Sequence, residues 1–442
     1  MKRVILIAVL LASIAAQSLF AQSPQLSDEW LSKNAQVINS ELPGKEDLQL
    51  LKKEIGDKRI VFLGEATHED GATFEVRTKI VGFLMEEMDF DVVLFEAGMF
   101  DLMQANKEFQ REGKSESIKN ALWGFWKTQQ WQTFYSFIEQ RKAAGKNIEF
   151  AGFDCKFSSS YGFDNNNYSR FWETIFQEKN TAILKNENFI NYMAVWKDIE
   201  SGYQKSGMKG GLAKMRYKMS KKEKQSFRNL SIWMADELKK MGENKLAQLL
   251  RSNDEGIIAY SETRLWKLML NKKAFLPINN RRDELMADNL RHLLSNAYSN
   301  KKVIVIGATY HFIRNNQMID PIKIKFLPVH EAVIAGKLIY EQFANEIYTI
   351  GFTSYDGEYG LLRDGKKGVA VIKPEANSLE HQLANRGIKQ AFVSLRESTN
   401  EAFFSNGTNL RLFDHSSYVT SKNWHKVLDA VYFIKTMQPL RR

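Results

Sequence analysis

The chain has a single cysteine, Cys155, so no disulfide framework can brace it. Its seven prolines and its 44% hydrophobic content argue against disorder. Beyond the N-terminus no apolar run is long enough to cross a bilayer, and no internal repeat is visible. Two common hydrolase signatures are missing: there is no Gly-x-Ser-x-Gly elbow and no His-Glu-x-x-His zinc helix. Gly360 to Lys367 approaches a phosphate loop, but Lys367 stands where Ser or Thr is required. Cys155 itself lies in no activating motif and reads as a buried, inert thiol.

What is present begins with an export signal. Lys2 and Arg3 form its charged region, Val4 to Ala16 its apolar region, and Ala21-Gln22 its cleavage point. Residues 1–21 are thus expected to be removed, leaving a periplasmic or secreted protein with no integral membrane segment. Loss of Lys2 and Arg3 lowers the formal net charge from +10 to +8, an excess that does not demand nucleic acid. The remaining chain, residues 22–442, is long enough for one large domain carrying an insertion.

Apolar runs at Arg59–Gly64, Asp91–Phe95, Ile148–Phe153 and Val303–Ile306 read as strands buried on both faces, the mark of parallel sheets covered by helices. Three more strands are expected at Ile347–Thr353, Ala391–Leu395 and Ala430–Ile434. Helical spacing of Phe74, Val76, Ile80, Phe83 and Leu84 predicts a helix over Ala72–Glu87. Trp30 to Ile55 reads as two short helices about Pro43-Gly44, and Tyr355 to Gly360 as a loop. From about 157 to 300 the pattern is helical only, which suggests an insertion capping the sheet edge. Within it, Lys205 to Arg228 is strongly basic, and Ser220-Lys221-Lys222-Glu223 forms a capping box. The fold class is therefore α/β, a mainly parallel central sheet flanked by helices, with a helical cap over its carboxyl edge.

The chemistry gathers where these strands end. Gly64-Glu65-Ala66-Thr67-His68 follows the first strand, Glu96 the second, Asp154 the third, and Tyr310-His311 the fourth. Ligands of open α/β sheets bind beyond the carboxyl ends of the strands. Histidine moves protons at neutral pH and carboxylates tune it, so His68 and His311 with Glu65 and Glu96 are candidate catalytic groups. Arg77, in the following helix, reads either as a surface charge or as a guanidinium reaching the carboxylates or an oxyanion. Asp154 could orient a histidine, although capping of the next segment fits its position better. His292, His330, His381, His415 and His425 are scattered and read as structural or exposed.

These phrases together resemble the erythromycin esterase family. The likeness runs through Gly64–His68, Arg77, Phe95–Gly98, Gly152–Asp154, Arg282-Asp283, Met286–Asn289, Ala308–His311, Ile350–Thr353 and Asp429–Val431, in the family's order. The resemblance implies a serine-free hydrolase that opens a macrolide lactone with activated water and needs no cofactor or metal. It implies His68 as general base, completed by Glu65, Arg77, Glu96 and His311, with Asp154, Arg282 and Tyr310 toward a small ester or macrolactone substrate. Two departures stand out: Ala308 where the family often has a histidine, and Gln129-Gln130 where acidic residues are common. Two other functions are compatible with the same residues. Two histidines and two glutamates make an acceptable divalent-metal shell, and Ala308 is consistent with a binding protein that has lost the reaction.

Overall fold

The computed structural model describes residues 24–162, 167–205, 219–261, 272–321, 323–324, 327–362 and 367–442. The expected signal sequence, most of the basic stretch after Lys205, and half of the Gly360–Lys367 segment lie outside them.

Eight strands build the path of the central sheet: β1 (Ala35–Ile38), β2 (Ile60–Glu65), β3 (Val92–Gly98), β4 (Glu149–Asp154), β5 (Val303–Ala308), β6 (Ile347–Tyr359), β7 (Gln390–Ser394) and β8 (Ala430–Met437). Their spatial order is β1-β7-β8-β6-β2-β5-β3-β4. Pairing is parallel from β8 across to β4, and antiparallel where β7 meets β8 and β1. The mainly parallel sheet is thus present, with its antiparallel margin on one side.

Successive strand residues point to opposite faces, so a strand buried on both faces needs apolar side chains throughout. Val61, Leu63, Val93, Phe95, Ile304 and Ile306 pack on one face with α1 (Gly71–Glu87), through Phe74, Val76, Ile80 and Phe83. Their alternates Ile60, Phe62, Val92, Leu94, Val303 and Val305 pack on the other, under α7 (Lys272–His292) and α8 (Ala335–Phe343). All five residues whose spacing predicts the first helix are buried in it.

Between β4 and β5 the described residues form α3 (Asn167–Lys179), α4 (Glu187–Lys205), α5 (Lys221–Lys240), α6 (Asn244–Tyr260) and then α7. These helices hold a separate aromatic core of Trp172, Tyr192, Trp196 and Phe227. It reaches the sheet through Met99 and Phe100 of α2 (Met99–Glu112). The Ser220–Glu223 capping box opens α5, with both reciprocal bonds formed. None of the described helices is long and apolar enough to cross a membrane.

Two local expectations are overturned. Trp30 to Ile55 contains strand β1 between its helices, because Ala35–Ile38 pairs with β7 across the sheet, a partner that no local pattern announces. Tyr355 to Gly360 is not a loop: β6 runs on to Tyr359, its register with β8 continuing to Gly357↔Met437 and residues 369–370 pairing on its other side. The last strand is likewise longer than Ala430–Ile434, ending at Met437.

The sheet and the site meet closely at Gly64. A Cβ placed there would lie 2.6 Å from both Cα and Oγ1 of Thr309, in the turn that carries His311. Backbone cannot move aside cheaply, so Gly64→Ala is expected to destabilise the protein by about 1–3 kcal/mol. A fall in the urea midpoint with an unchanged slope is the outcome expected.

Candidate active site

Four neighbouring parallel strands, β2, β5, β3 and β4, deliver their carboxyl ends to one place. Glu65 is opposite Ala308 in the β2–β5 register, and Gly98 is opposite Asp154 in β3–β4. The helix α7 passes over this edge and brings Arg282 and Asp283.

His68 is the open group of the cluster. Its side chain is 40% exposed, whereas Glu65 is fully buried. Glu65 Oε1 lies 2.8 Å from His68 Nδ1. A carboxylate only accepts, so Nδ1 carries the proton and the Nε2 lone pair is left free. Phe125 stacks on the ring at 4.4 Å with planes only 4° apart, fixing its tilt. Burial opposes the charged imidazolium, but the Glu65 hydrogen bond and the charges of Glu96 and Glu65 outweigh it. The His68 pKa therefore lies above its ordinary value.

Arg77 is not a surface charge. It is fully buried, donates to Glu65 Oε2 and to the Leu63 carbonyl, and is boxed by Phe74, Trp126 and Trp131, 4.7 to 5.8 Å from their ring centres. Cation–π attraction substitutes for the hydrogen bonds its remaining nitrogens lack. So placed, Arg77 holds Glu65 and cannot touch an oxyanion.

Arg282 is the centre of the second half. Nε donates to Asp154 Oδ1 at 3.2 Å, and Nη2 to Asp154 Oδ2 and Glu96 Oε1, both at 2.7 Å. Nη1 lies 3.1 Å from His311 Nε2. With His311 protonated, three of its five N–H donors are engaged, by the two carboxylates, and the two on Nη1 are left. Glu96 Oε2 accepts from the Ala308 backbone at 2.9 Å, and the absence of a side chain at Gly307 makes room for it. Burial alone would raise the Glu96 pKa, but His311 and Arg282 hold it well below the carboxylate range.

His311 is buried between two acids, with Nδ1 2.8 Å from Asp283 Oδ1 and Nε2 3.4 Å from Glu96 Oε1. Burial opposes its charge, yet Asp283 and Glu96 push its pKa up to about 9. The imidazolium is thus the neutral-pH form, its Nε2–H directed to Glu96. Loss of that proton lets Nε2 accept from Arg282 Nη1 instead.

The structure therefore brings Glu65, His68 and Arg77 into one group and Glu96, Asp154, Arg282 and His311 into another, with Glu96 and Arg282 acting electrostatically on His68. Asp154, expected toward substrate, is fully buried and spends both oxygens on Arg282. It also accepts from the Lys156 backbone at 3.2 Å, the capping role. Tyr310 stands edge-on to His311 and near Phe413, and its hydroxyl pairs with Asn279 at 3.0 Å. Gln129 and Gln130 do not line this cluster: Gln129 donates to Arg442, while Gln130 donates to Pro439 and accepts from the Arg441 backbone. Cys155 is free and buried, its thiol pushed well up by burial.

Sequence reasoning missed Asp283, Phe125, Lys156 and Trp123, whose indole donates to the Glu96 carbonyl at 3.0 Å. Only Asp283 had a signal, its place beside Arg282. The loop bearing His68 has its own clamp. Asp70 accepts from Thr67 N and Oγ1 at 3.1 and 2.9 Å and meets His415 Nε2 at 2.6 Å. As a metal shell the donor set fits poorly, since Glu65 and Glu96 are each spent on an arginine. Among the described residues no group of three or more His, Cys, Asp or Glu closes on a common point.

The erythromycin esterase family model matches residues 85–437, which include Glu96, Asp154, Arg282 and His311. The Bacillus subtilis (strain 168) protein YbfO, whose name carries the word hydrolase, is 25% identical over 90% of this chain and 87% of its own length. Erythromycin esterase type II of Escherichia coli is 22% identical over 79% of this chain and 84% of its own. In fold, the chain is similar to a mutant erythromycin esterase crystallised in its open conformation. The TM-score is 0.64 and the identity 12%, over 89% of this chain and 95% of that one.

The raised His311 pKa has a consequence for stability. A group protonated more tightly in the folded state contributes stability that is full below its unfolded pKa, near 6.5, and is lost as pH rises through about 9. The melting-temperature difference between wild type and His311→Gln should be largest near pH 6 and shrink by pH 9. A difference that stays constant over that range would show that His311 does not titrate there.

Proposed function

The chain belongs to the erythromycin esterase family, and on that premise we propose that it is an exported hydrolase that opens an ester or macrolactone with water activated by His68. The observation that carries this reading is the tautomer of His68. Glu65 Oε1, 2.8 Å from Nδ1, accepts its hydrogen bond and leaves a basic Nε2 on a partly exposed ring beside a buried cluster of cations.

The step balances simply. Water oxygen bonds to the carbonyl carbon while its proton passes to His68 Nε2, and the carbonyl π pair moves onto oxygen. The oxyanion faces the cationic side of the site, where Arg282 keeps the uncommitted N–H donors of Nη1 and His311 carries charge. As the pair returns, the C–O bond to the alkoxide breaks, and the alkoxide takes the proton back from His68. In a lactone that alkoxide stays attached, so one ring-opened product carries both the acid and the alcohol.

His68→Ala is expected to lower turnover by about 10²–10⁴-fold with an unchanged melting temperature. Activity should rise with pH through a limb above the ordinary histidine pKa, because the base must be unprotonated, and fall again near pH 9 as His311 loses its proton. In labelled water, ¹⁸O should enter the product acid, with no acyl-protein seen by intact mass. An adduct on a serine or on Cys155, or near-normal turnover by the alanine variant, would sink the mechanism. A screen of macrolides and simple esters read by mass selects the substrate.

Export has its own test. Material recovered from the native host should begin near Gln22, by the charged and apolar regions that precede it. Recovery of an intact Met1 end in the cytosol would overturn that part of the reading.

A further inference from the structure

Lys156 follows directly on the strand end that carries Asp154, and its side chain is only 8% exposed. A buried ammonium ordinarily spends its three N–H donors on carboxylates or carbonyls. This one has no hydrogen bond among the described residues, and its one ion-pair partner, Asp154 Oδ2, stands off at 3.7 Å. That carboxylate is already taken up by Arg282. What surrounds the Lys156 amine instead is aromatic, with the Trp123 ring centre at 6.0 Å and that of Tyr260 at 5.3 Å. These rings attract the charge but offer its N–H donors no oxygen acceptor.

Its position ties it to the chemistry. Trp123 donates to the backbone carbonyl of Glu96, and the charges of Glu96 and Arg282 act on both Lys156 and His68. The cation therefore shares the charges of Glu96 and Arg282 with His68, and its amine makes no hydrogen bond among the described residues.

We propose that Lys156 is a further catalytic residue of this site, one that receives the oxyanion, and more generally a tetrahedral or carboxylate oxygen anion of the bound ligand. The inference deepens the hydrolytic reading and rests on it for the identity of the oxyanion. Arg282 keeps only the donors on Nη1, beside the like-charged His311, whereas all three on Lys156 are without a hydrogen bond among the described residues. The groups that face its amine are Asp154, Glu96, Cys155, Arg282 and Tyr260. Burial and the nearby Arg282 guanidinium push its pKa down to about 8, against the opposing pull of Asp154 and Glu96. An amine so poised is charged at neutral pH and gains most from an arriving anion.

The discriminating variant is Lys156→Met, which keeps the length of the side chain and suits an aromatic surround. A merely structural lysine would cost stability on replacement. A buried cation without a hydrogen bond should cost none, so the melting temperature is expected to hold or rise. Turnover of whichever ester the screen selects should fall by about 10²–10³-fold, the usual effect of removing one oxyanion donor.

Binding is read separately with a short-chain alkyl phosphonate, a stable tetrahedral oxygen anion, by calorimetric titration. Wild type should bind it, Lys156→Met at least tenfold more weakly, and wild-type affinity should decline above about pH 8. Equal phosphonate affinity with and without the lysine overturns the proposal. So does absence of binding to wild type, or a loss of activity that merely follows a loss of melting temperature. If wild type hydrolyses no ester yet binds phosphonate through Lys156, the ester reading fails and the anion site stands.

Discussion

The arrangement depends on one buried ion pair, that of Arg282 with Glu96 and Asp154. Its guanidinium comes from a helix that lies more than a hundred residues along the chain from either carboxylate, and it joins the ends of two adjacent strands. Desolvating three charged groups is costly, and only close, directional pairing offsets that cost. Here the fork of the guanidinium matches the Asp154 carboxylate with two bonds and reaches Glu96 with a third. Loss of either acid would leave an uncompensated buried charge, so sheet, covering helix and site are held as a unit. The same pairing explains why the helical segment between β4 and β5 returns over the carboxyl edge: α7 has to bring Arg282 and Asp283 there.

The second half of the site uses a different solution. Arg77 has only one carboxylate and one carbonyl for partners, and the rest of its guanidinium is covered by Phe74, Trp126 and Trp131. The tryptophan-rich stretch near Trp126 thus acts on His68 indirectly, by fixing the arginine that fixes Glu65. Phe125, from the same stretch, stacks on His68 itself. The loop between Glu65 and α1 is also tied from outside. Gly71 donates to the Gln438 carbonyl at 2.7 Å and Gly360 to that of Glu69 at 3.1 Å, while Asp70 meets His415. Segments near the C-terminal end therefore brace a loop at the start of the domain. Gln129 and Gln130 belong to that brace through their bonds to residues 439–442.

How much of this was legible in the sequence follows from which interactions are local. Strands buried on both faces read as continuous apolar runs, and so β2, β3, β4 and β5 and the acids or histidines at their ends could be found without coordinates. β1 could not, because Ala35–Ile38 is a strand only by virtue of its pairing with β7. The residues that orient the chemistry were harder than those that carry it. Asp283 sits mid-helix beside Arg282, and nothing in its spacing points to a histidine twenty-eight residues away. Lys156 carries no signal in the sequence, since its burial comes with Trp123 and Tyr260, which belong to different parts of the chain. Arg77 is open in the sequence between a surface charge and a guanidinium reaching the carboxylates or an oxyanion, and its depth is not legible because its aromatic box is assembled from two separate segments.

Charge balance brings the two halves together. Glu65, Glu96, Asp154 and Asp283 contribute four negative charges to the cluster. Arg77 and Arg282 supply two fixed positive charges, while His311, with its pKa near 9, and Lys156, near 8, supply two more at neutral pH. The site is then neutral overall when His68 is the free base, the form the proposed reaction requires. Transfer of a proton from water to His68 creates one positive charge on the ring and one negative charge on the substrate oxygen, and the total stays at zero. The work left to the protein is to stabilise that separation rather than to absorb a net charge. The fixed dipoles and ion pairs on either side of Glu96 already point the right way before substrate arrives, so little reorganisation remains for the reaction itself. Protonating His68 in the resting state would give the cluster a net positive charge, which only Glu65 and Glu96 are placed to offset. Glu65 and Glu96 raise the His68 pKa, whereas burial and the Arg282 charge limit that rise.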